Sequence, residues 1–271
     1  MGSFISEYPV VLSIAGSDNS GGAGIQADIK TCQVYGTFCT TAITAVTAQN
    51  SKGLRMADYV GDSMLESQLH SIFECFTPDA VKIGMIPSFS AVEIISRILR
   101  QHNARNIVID PVLSATAGGS FNRDGTVKAM TSLLFPMATL ITPNLPELHI
   151  LSGKSDLHPA DAATRMIKLS EVRNVLIKGG HSEGDTCNDL LVMEDGRILE
   201  FNCKRIDSHD THGTGCTLSS AIACGLALGM TLECAIEKAK TFITDAIARG
   251  HRFRVTELYG PVHQSDLRRK R

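Results

Sequence analysis

The chain has 271 residues, 43% hydrophobic and 20% charged, enough to bury one substantial core in an ordinary α/β domain. Twenty-six basic against 28 acidic side chains leave a formal charge of -2, which offers no general pull toward nucleic acid or anionic lipid and favours a small-molecule partner. Eight cysteines without a Cys-x-x-Cys pair suit neither a zinc site nor the disulfide framework of a small secreted domain, so reduced thiols in a cytoplasmic setting are expected.

Taken in chain order, Met1-Gly2-Ser3-Phe4-Ile5-Ser6 matches an N-myristoylation pattern, but Glu7 follows where a basic residue would strengthen it. Val10 to Ile14, Val81 to Ile83, Ile107 to Ile109, Leu140 to Ile141 and Val175 to Ile177 are short apolar runs that read as buried strands. Between them Ile25 to Tyr35, Met64 to Phe76, Ala91 to His102, Asp124 to Phe135 and Ala160 to Ser170 carry helical patterns. The alternation predicts parallel βαβ units, a mostly parallel central sheet with helices on both faces. Asp189 to Met193 and Arg197 to Cys203, separated by Glu194-Asp195-Gly196, form a predicted β-hairpin, followed by helices over Gly215 to Leu228 and Leu232 to Arg249. No linker, repeat or low-complexity block divides the chain, which predicts a single domain with residues 1–9 and 251–271 as tails. The basic run Arg268-Arg269-Lys270-Arg271 fits a solvated end, and no apolar stretch approaches the roughly 18 residues of a membrane span.

In an open parallel sheet, ligands gather beyond the carboxyl ends of the strands. The first run ends in a loop with Gly16, Gly21, Gly22 and Gly24, whose spacing fits neither Gly-x-Gly-x-x-Gly nor a Walker motif, against a Rossmann dehydrogenase or a P-loop kinase. Asp28, one turn into the next helix, can accept a substrate hydroxyl or simply compensate the helix dipole. Asp110 and Glu147 offer hard oxygen ligands for a hydrated Mg²⁺, or are capping carboxylates; Asn144 fits an N-cap; Lys178 can neutralise a phosphate.

The segment Asp210-Thr211-His212-Gly213-Thr214-Gly215-Cys216 runs directly into the apolar stretch Thr217 to Met230. Unpaired N–H groups and the positive end of a helix dipole meet there, as an anion-binding turn requires. Cys216 falls in the first turn, where the dipole is expected to lower its thiol pKa. Together with Asp110, Asn144, Glu147 and Lys178, the turn makes a coherent phosphoryl-transfer kit.

Ile14 to Asp18, Gly21 to Asp28, Thr47 to Asn50, Val81 to Met85, Asp110 to Val112, Thr142 to Glu147, Ile177 to His181 and Thr211 to Ser219 together resemble the hydroxymethylpyrimidine and phosphomethylpyrimidine kinases of thiamine biosynthesis. The resemblance spans about residues 10 to 250 and implies a ribokinase-like fold, an ATP- and Mg²⁺-dependent kinase and a homodimer. It implies an anion hole at Gly213, Gly215 and Cys216, with Cys216 as base. Lys178, Asn144 and Thr211 would be on the ATP side, and Asp110 and Glu147 would govern Mg²⁺ through water. Gly16, Asp28, Gln49 and Met85 would make the substrate pocket, Gln49 reading the pyrimidine edge. The chain departs from the family's flap at Leu113 to Gly119. A pyridoxal kinase, an enzyme accepting both rings, and a noncatalytic pyrimidine sensor are the alternatives.

Overall fold

The computed structural model describes residues 8–113, 125–179, 186–208, 211–252 and 260–265. Gly2, the flap from Ser114 to Gly119, Gly180, His181, Asp210 and the basic run 268–271 lie outside the described residues.

Nine strands join one sheet in the order β3-β2-β1-β4-β5-β6-β7-β8-β9. They are β1 (Val10–Asp18), β2 (Phe38–Asn50), β3 (Gly53–Tyr59), β4 (Ala80–Ile83), β5 (Ile107–Ile109), β6 (Leu140–Ile141), β7 (Asn174–Ile177), β8 (Thr186–Met193) and β9 (Ile198–Lys204). The six strands from β2 to β7 in that order run parallel. Antiparallel strands flank them: β3 on β2, and the predicted hairpin β8–β9 on β7.

The helices are α1 (Gly24–Tyr35), α2 (Asp62–Cys75), α3 (Phe89–Gln101), α4 (Thr126–Ala129), α5 (Leu145–Ser152), α6 (Pro159–Ser170), α7 (Thr214–Ala227) and α8 (Leu232–Arg252). The helix expected over Asp124 to Phe135 is α-helical only as α4; it widens into a π-turn at Met130–Leu134 and tightens to a 3₁₀ turn at Phe135–Met137. Pro136 accounts for the ending, because it has no N–H to donate and its ring collides with the carbonyl four residues back.

Alternation along the strands sorts side chains into two cores, as a period of two requires. Leu12, Ile14, Val81, Ile83, Ile107 and Ile109 pack with α2, α3 and α6. Val11, Ala80, Val108, Leu140 and Leu176 face α7 and α8 on the other side. Each fully buried Leu or Ile there contributes about 1.5–3 kcal/mol. Lys82 lies between Val81 and Ile83 and is wholly buried.

The stretch after α8 is not a tail throughout. Val262 and Gln264 are buried, Pro261 bridges to His212, and the Val262 N–H donates to the His212 carbonyl. Gln264 Nε2 donates to Thr217 Oγ1 on α7 at 3.0 Å. Residues 260–265 therefore brace the turn that opens α7.

Candidate active site

The carboxyl ends of β1, β4, β5, β6 and β7 open into one cleft of about 790 Å³, within the range of small-molecule sites. Its walls include Gly16, Gln49 and Met85, then Asp110, Lys178 and Gly215, and Lys240, Ile243 and Ile247 of α8.

The turn before α7 depends on glycine. Gly213 has φ of 85°, and a Cβ there would stand 1.9 Å from the Gly22 carbonyl oxygen. No other residue allows the two loops to approach so closely. A Cβ on Gly215 would meet Asp110 Oδ2 at 3.0 Å and Lys178 Nζ at 3.5 Å, so the start of α7 abuts the charged groups of the sheet. Thr211 is exposed at the lip of the cleft.

Lys178 Nζ donates to Asp110 Oδ1 at 2.7 Å and stands 3.8 Å from Glu147 Oε2. Burial alone would depress the ammonium's pKa, but Asp110 and Glu147 more than offset it and hold Lys178 above the ordinary lysine range. Burial pushes Glu147 up; Lys178 opposes this, while the nearby Asp110 charge reinforces it. Asn144 is the N-cap of α5: its Oδ1 accepts from the Glu147 N–H and Glu147 Oε2 accepts from the Asn144 N–H, both at 2.8 Å. Its side-chain oxygen is thus committed to a capping box, the local role that its spacing to Glu147 also allowed. Among the described residues, no cluster of three or more His, Cys, Asp or Glu side chains is placed to hold a metal ion directly.

Two expectations are corrected. Asp28 does not line the cleft and is fully buried, accepting from Ser13 Oγ at 2.6 Å, Lys82 Nζ at 2.8 Å and Ser220 Oγ at 2.5 Å. Three protein donors occupy the carboxylate that was expected to meet a substrate hydroxyl. Cys216 does line the cleft, but its thiol is pushed up to about 11 rather than lowered. Burial is the largest cause; Lys82 opposes it, and Asp28 and Asp110 add to it.

Asp18 and His212 were not singled out as site residues, yet they hold the loops together. Asp18 Oδ2 accepts from Ser20 Oγ and the Ala23 N–H at 2.8 Å and the Gly22 N–H at 3.2 Å, and His212 Nε2 lies 2.8 Å away. Burial alone would raise Asp18, but bonds from His212, Ser20 and Gln49 hold it well below the usual carboxylate range. Gln49 therefore already spends part of its hydrogen-bonding capacity on Asp18. In the same cleft, a Cβ on Gly16 would meet Met85 Cε at 2.7 Å, so the Met85 side chain lies flat against the glycine backbone.

A parallel sheet with flanking hairpins and a glycine turn opening a helix at its carboxyl edge defines a ribokinase-like small-molecule kinase. The structure of the Staphylococcus aureus pyridoxal kinase in complex with AMP-PCP and pyridoxal superposes with a TM-score of 0.87 at 31% identity, covering 98% of this chain and 96% of that one. A phosphomethylpyrimidine kinase from Clostridium difficile gives 0.77 at 36% identity over 88% of this chain and 99% of that one. The chain belongs to the phosphomethylpyrimidine kinase family, whose model matches residues 18–263. A hydroxymethylpyrimidine/phosphomethylpyrimidine kinase of Haemophilus influenzae is 38% identical over 264 residues, 96% of this chain and 97% of the relative. Against a probable thiamine biosynthetic bifunctional enzyme of rice, Oryza sativa subsp. japonica, at 39% identity, the match spans 89% of this chain but only 44% of the relative.

Proposed function

We propose that this single kinase domain transfers the γ-phosphate of ATP to the hydroxymethyl oxygen of 4-amino-5-hydroxymethyl-2-methylpyrimidine, and then a second phosphate to the monophosphate. The observation that carries this reading is the position of Gly215, which brings the first turn of α7 against Lys178 and Asp110 in the wall of the cleft. A flat ring fits against Gly16, Gln49 and Met85, and a nucleotide base fits under Ile243 and Ile247. The transferring phosphate then lies at the turn Gly213 to Cys216, where N–H groups and Lys178 meet its developing charge.

Asp110 and Glu147 suit a hydrated divalent cation: both are carboxylates beside the phosphate position, and both already face Lys178, which leaves room for contact through water. Bound Mg²⁺ supplies neutralisation of charge on the ATP phosphates. Cys216 in its thiolate form takes the substrate proton as the new O–P bond forms and the bond to the ADP oxygen breaks. A homodimer belongs to the same reading, and sedimentation of the purified chain tests it.

The deciding experiment measures phosphorylated product with the pyrimidine, its monophosphate and pyridoxal as separate acceptors. Product from the two pyrimidines upholds the reading. Product from pyridoxal alone replaces it with a pyridoxal kinase, and ring binding without product replaces it with a sensor.

A further inference from the structure

The backbone ladder between β7 and β8 stops at Ile177 opposite Leu190. Two residues on, Gly179 runs so close to Asn188 that a Cβ would collide with the Asn188 carbonyl oxygen. The Gly179 N–H donates to a side chain of β8, Asp189 Oδ1, at 2.8 Å. The other carboxylate oxygen, Asp189 Oδ2, accepts from Lys240 Nζ of α8 at 2.7 Å. Asp189 is 3% exposed and Lys240 6%, yet both line the cleft.

Lys178 comes one residue before Gly179, so Asp189 holds the backbone that carries the phosphate cation. On its other side the Lys178 N–H donates to the Pro143 carbonyl at 2.9 Å, and the Lys178 ammonium meets Asp110 at 2.7 Å. Lys240, Ile243 and Ile247 recur at three- and four-residue spacing, so they share one face of α8, and all three line the cleft. One carboxylate thus joins that helix face to the root of Lys178. A buried ion pair is weak evidence for stability, since well-packed apolar residues of similar volume often serve as well or better. Its place between two parts of one site suggests a different use.

We propose that Asp189 is a positioning residue for ATP: it fixes the backbone of Lys178 against the α8 face that walls the cleft, and so sets the Lys178 ammonium within reach of the phosphates of a nucleotide seated there. The inference rests on the reading of Lys178 as the cation that meets those phosphates. The hydrogen bond from Gly179 carries the effect, and the ion pair with Lys240 aims the carboxylate that accepts it.

The test compares two neutral doubles that share Lys240→Met. With Asp189→Asn the side chain keeps an oxygen to accept from the Gly179 N–H; with Asp189→Leu it keeps a similar volume and no acceptor. Asp189→Ala with Lys240→Met is a second acceptor-free form should the leucine double not fold. Calorimetric titration with a β,γ-methylene analogue of ATP plus Mg²⁺, and separately with adenosine, needs no pyrimidine. The analogue should bind about five- to tenfold more weakly to the acceptor-free double than to the asparagine double, the scale of one lost hydrogen bond, while adenosine binds both alike. Folded doubles that bind the analogue equally overturn the proposal, and so does an equal loss for analogue and adenosine, which would place the disturbance in α8 rather than at Lys178. Lys178→Met in the same titration separates the two claims: if it weakens the analogue while the doubles agree, the phosphate role of Lys178 stands and the positioning role of Asp189 falls. The expected split in a chain that phosphorylates no pyrimidine upholds the role of Asp189 and counts against the substrate assignment instead.

Discussion

His212 Nε2 lies 2.8 Å from Asp18 Oδ2, although the two residues are 194 positions apart in the chain. Asp18 closes β1 and His212 belongs to the turn before α7, so this contact ties the glycine-rich loop after β1 to that turn. His212→Ala should lower stability by about 1–3 kcal/mol, because Asp18 loses a charge-assisted partner at a buried position. The KM values for pyrimidine and ATP should rise together. Calorimetry with steady-state kinetics checks this, and a change confined to one substrate would show that the two loops are not coupled.

Gly213→Ala should cost far more than a glycine substitution elsewhere at similar backbone angles. The new methyl would stand 1.9 Å from the Gly22 carbonyl, whereas at Gly153, with φ of 67°, nothing lies within 4 Å. The expected loss of kcat at Gly213 is on the order of 10²–10³, the scale for losing a preorganised anion donor. Gly153→Ala should keep full activity and lose about 1 kcal/mol through strain. Equal losses from the two variants would argue against the turn as an anion site.

Lys178→Met leaves Asp110 and Glu147 facing one another without the cation between them. The KM for ATP should rise at least about tenfold, since both the phosphate partner and the local charge balance are lost. Chelation of Mg²⁺ should abolish turnover, and Asp110→Asn should raise the Mg²⁺ concentration needed for half-maximal rate. An Asp110→Asn enzyme with an unaltered Mg²⁺ requirement would remove Asp110 from that role.

The Cys216 thiol at about 11 is protonated at neutral pH, and the thiolate fraction grows tenfold per pH unit below that value. The rate should therefore climb with pH between 7 and 9, in the direction set by a raised thiol pKa. Cys216→Ala should lose most turnover and all of the slope while still binding ATP. A flat wild-type profile over that range would reject the sulfur as proton acceptor.

The parallel strands were legible because β1, β4, β5, β6 and β7 are short and mainly apolar, and nearly all their residues are buried. Strand β2 was not, since Phe38-Cys39-Thr40-Thr41-Ala42-Ile43-Thr44-Ala45 mixes threonine and alanine and only part of its length is buried. Its edge partner β3, half-exposed throughout, gave still less contrast. The short helix α5 left a readable sign in the spacing of Asn144 and Glu147, the capping box. At the site, the glycine turn was legible as geometry, with Gly213 at a φ of 85° opening α7. The state of Cys216 was not, because burial decides it and burial belongs to the whole fold. Asp28 had a local clue: with Ile25 three residues before and Cys32 four after, it sits on the inward face of α1. Lys82 between two apolar strand residues was the matching clue, an internal cation that requires an internal anion.

The bridge from Pro261 to His212 has a consequence for synthesis on the ribosome. Every strand among the described residues and the whole of α7 precede residues 260–265 in the chain, so the share of that short piece in bracing the turn before α7 is added only once it has emerged and docked. A nascent chain long enough to form the sheet would still lack that contact, so nucleotide capture should lag behind formation of the sheet until residues 260–265 have emerged.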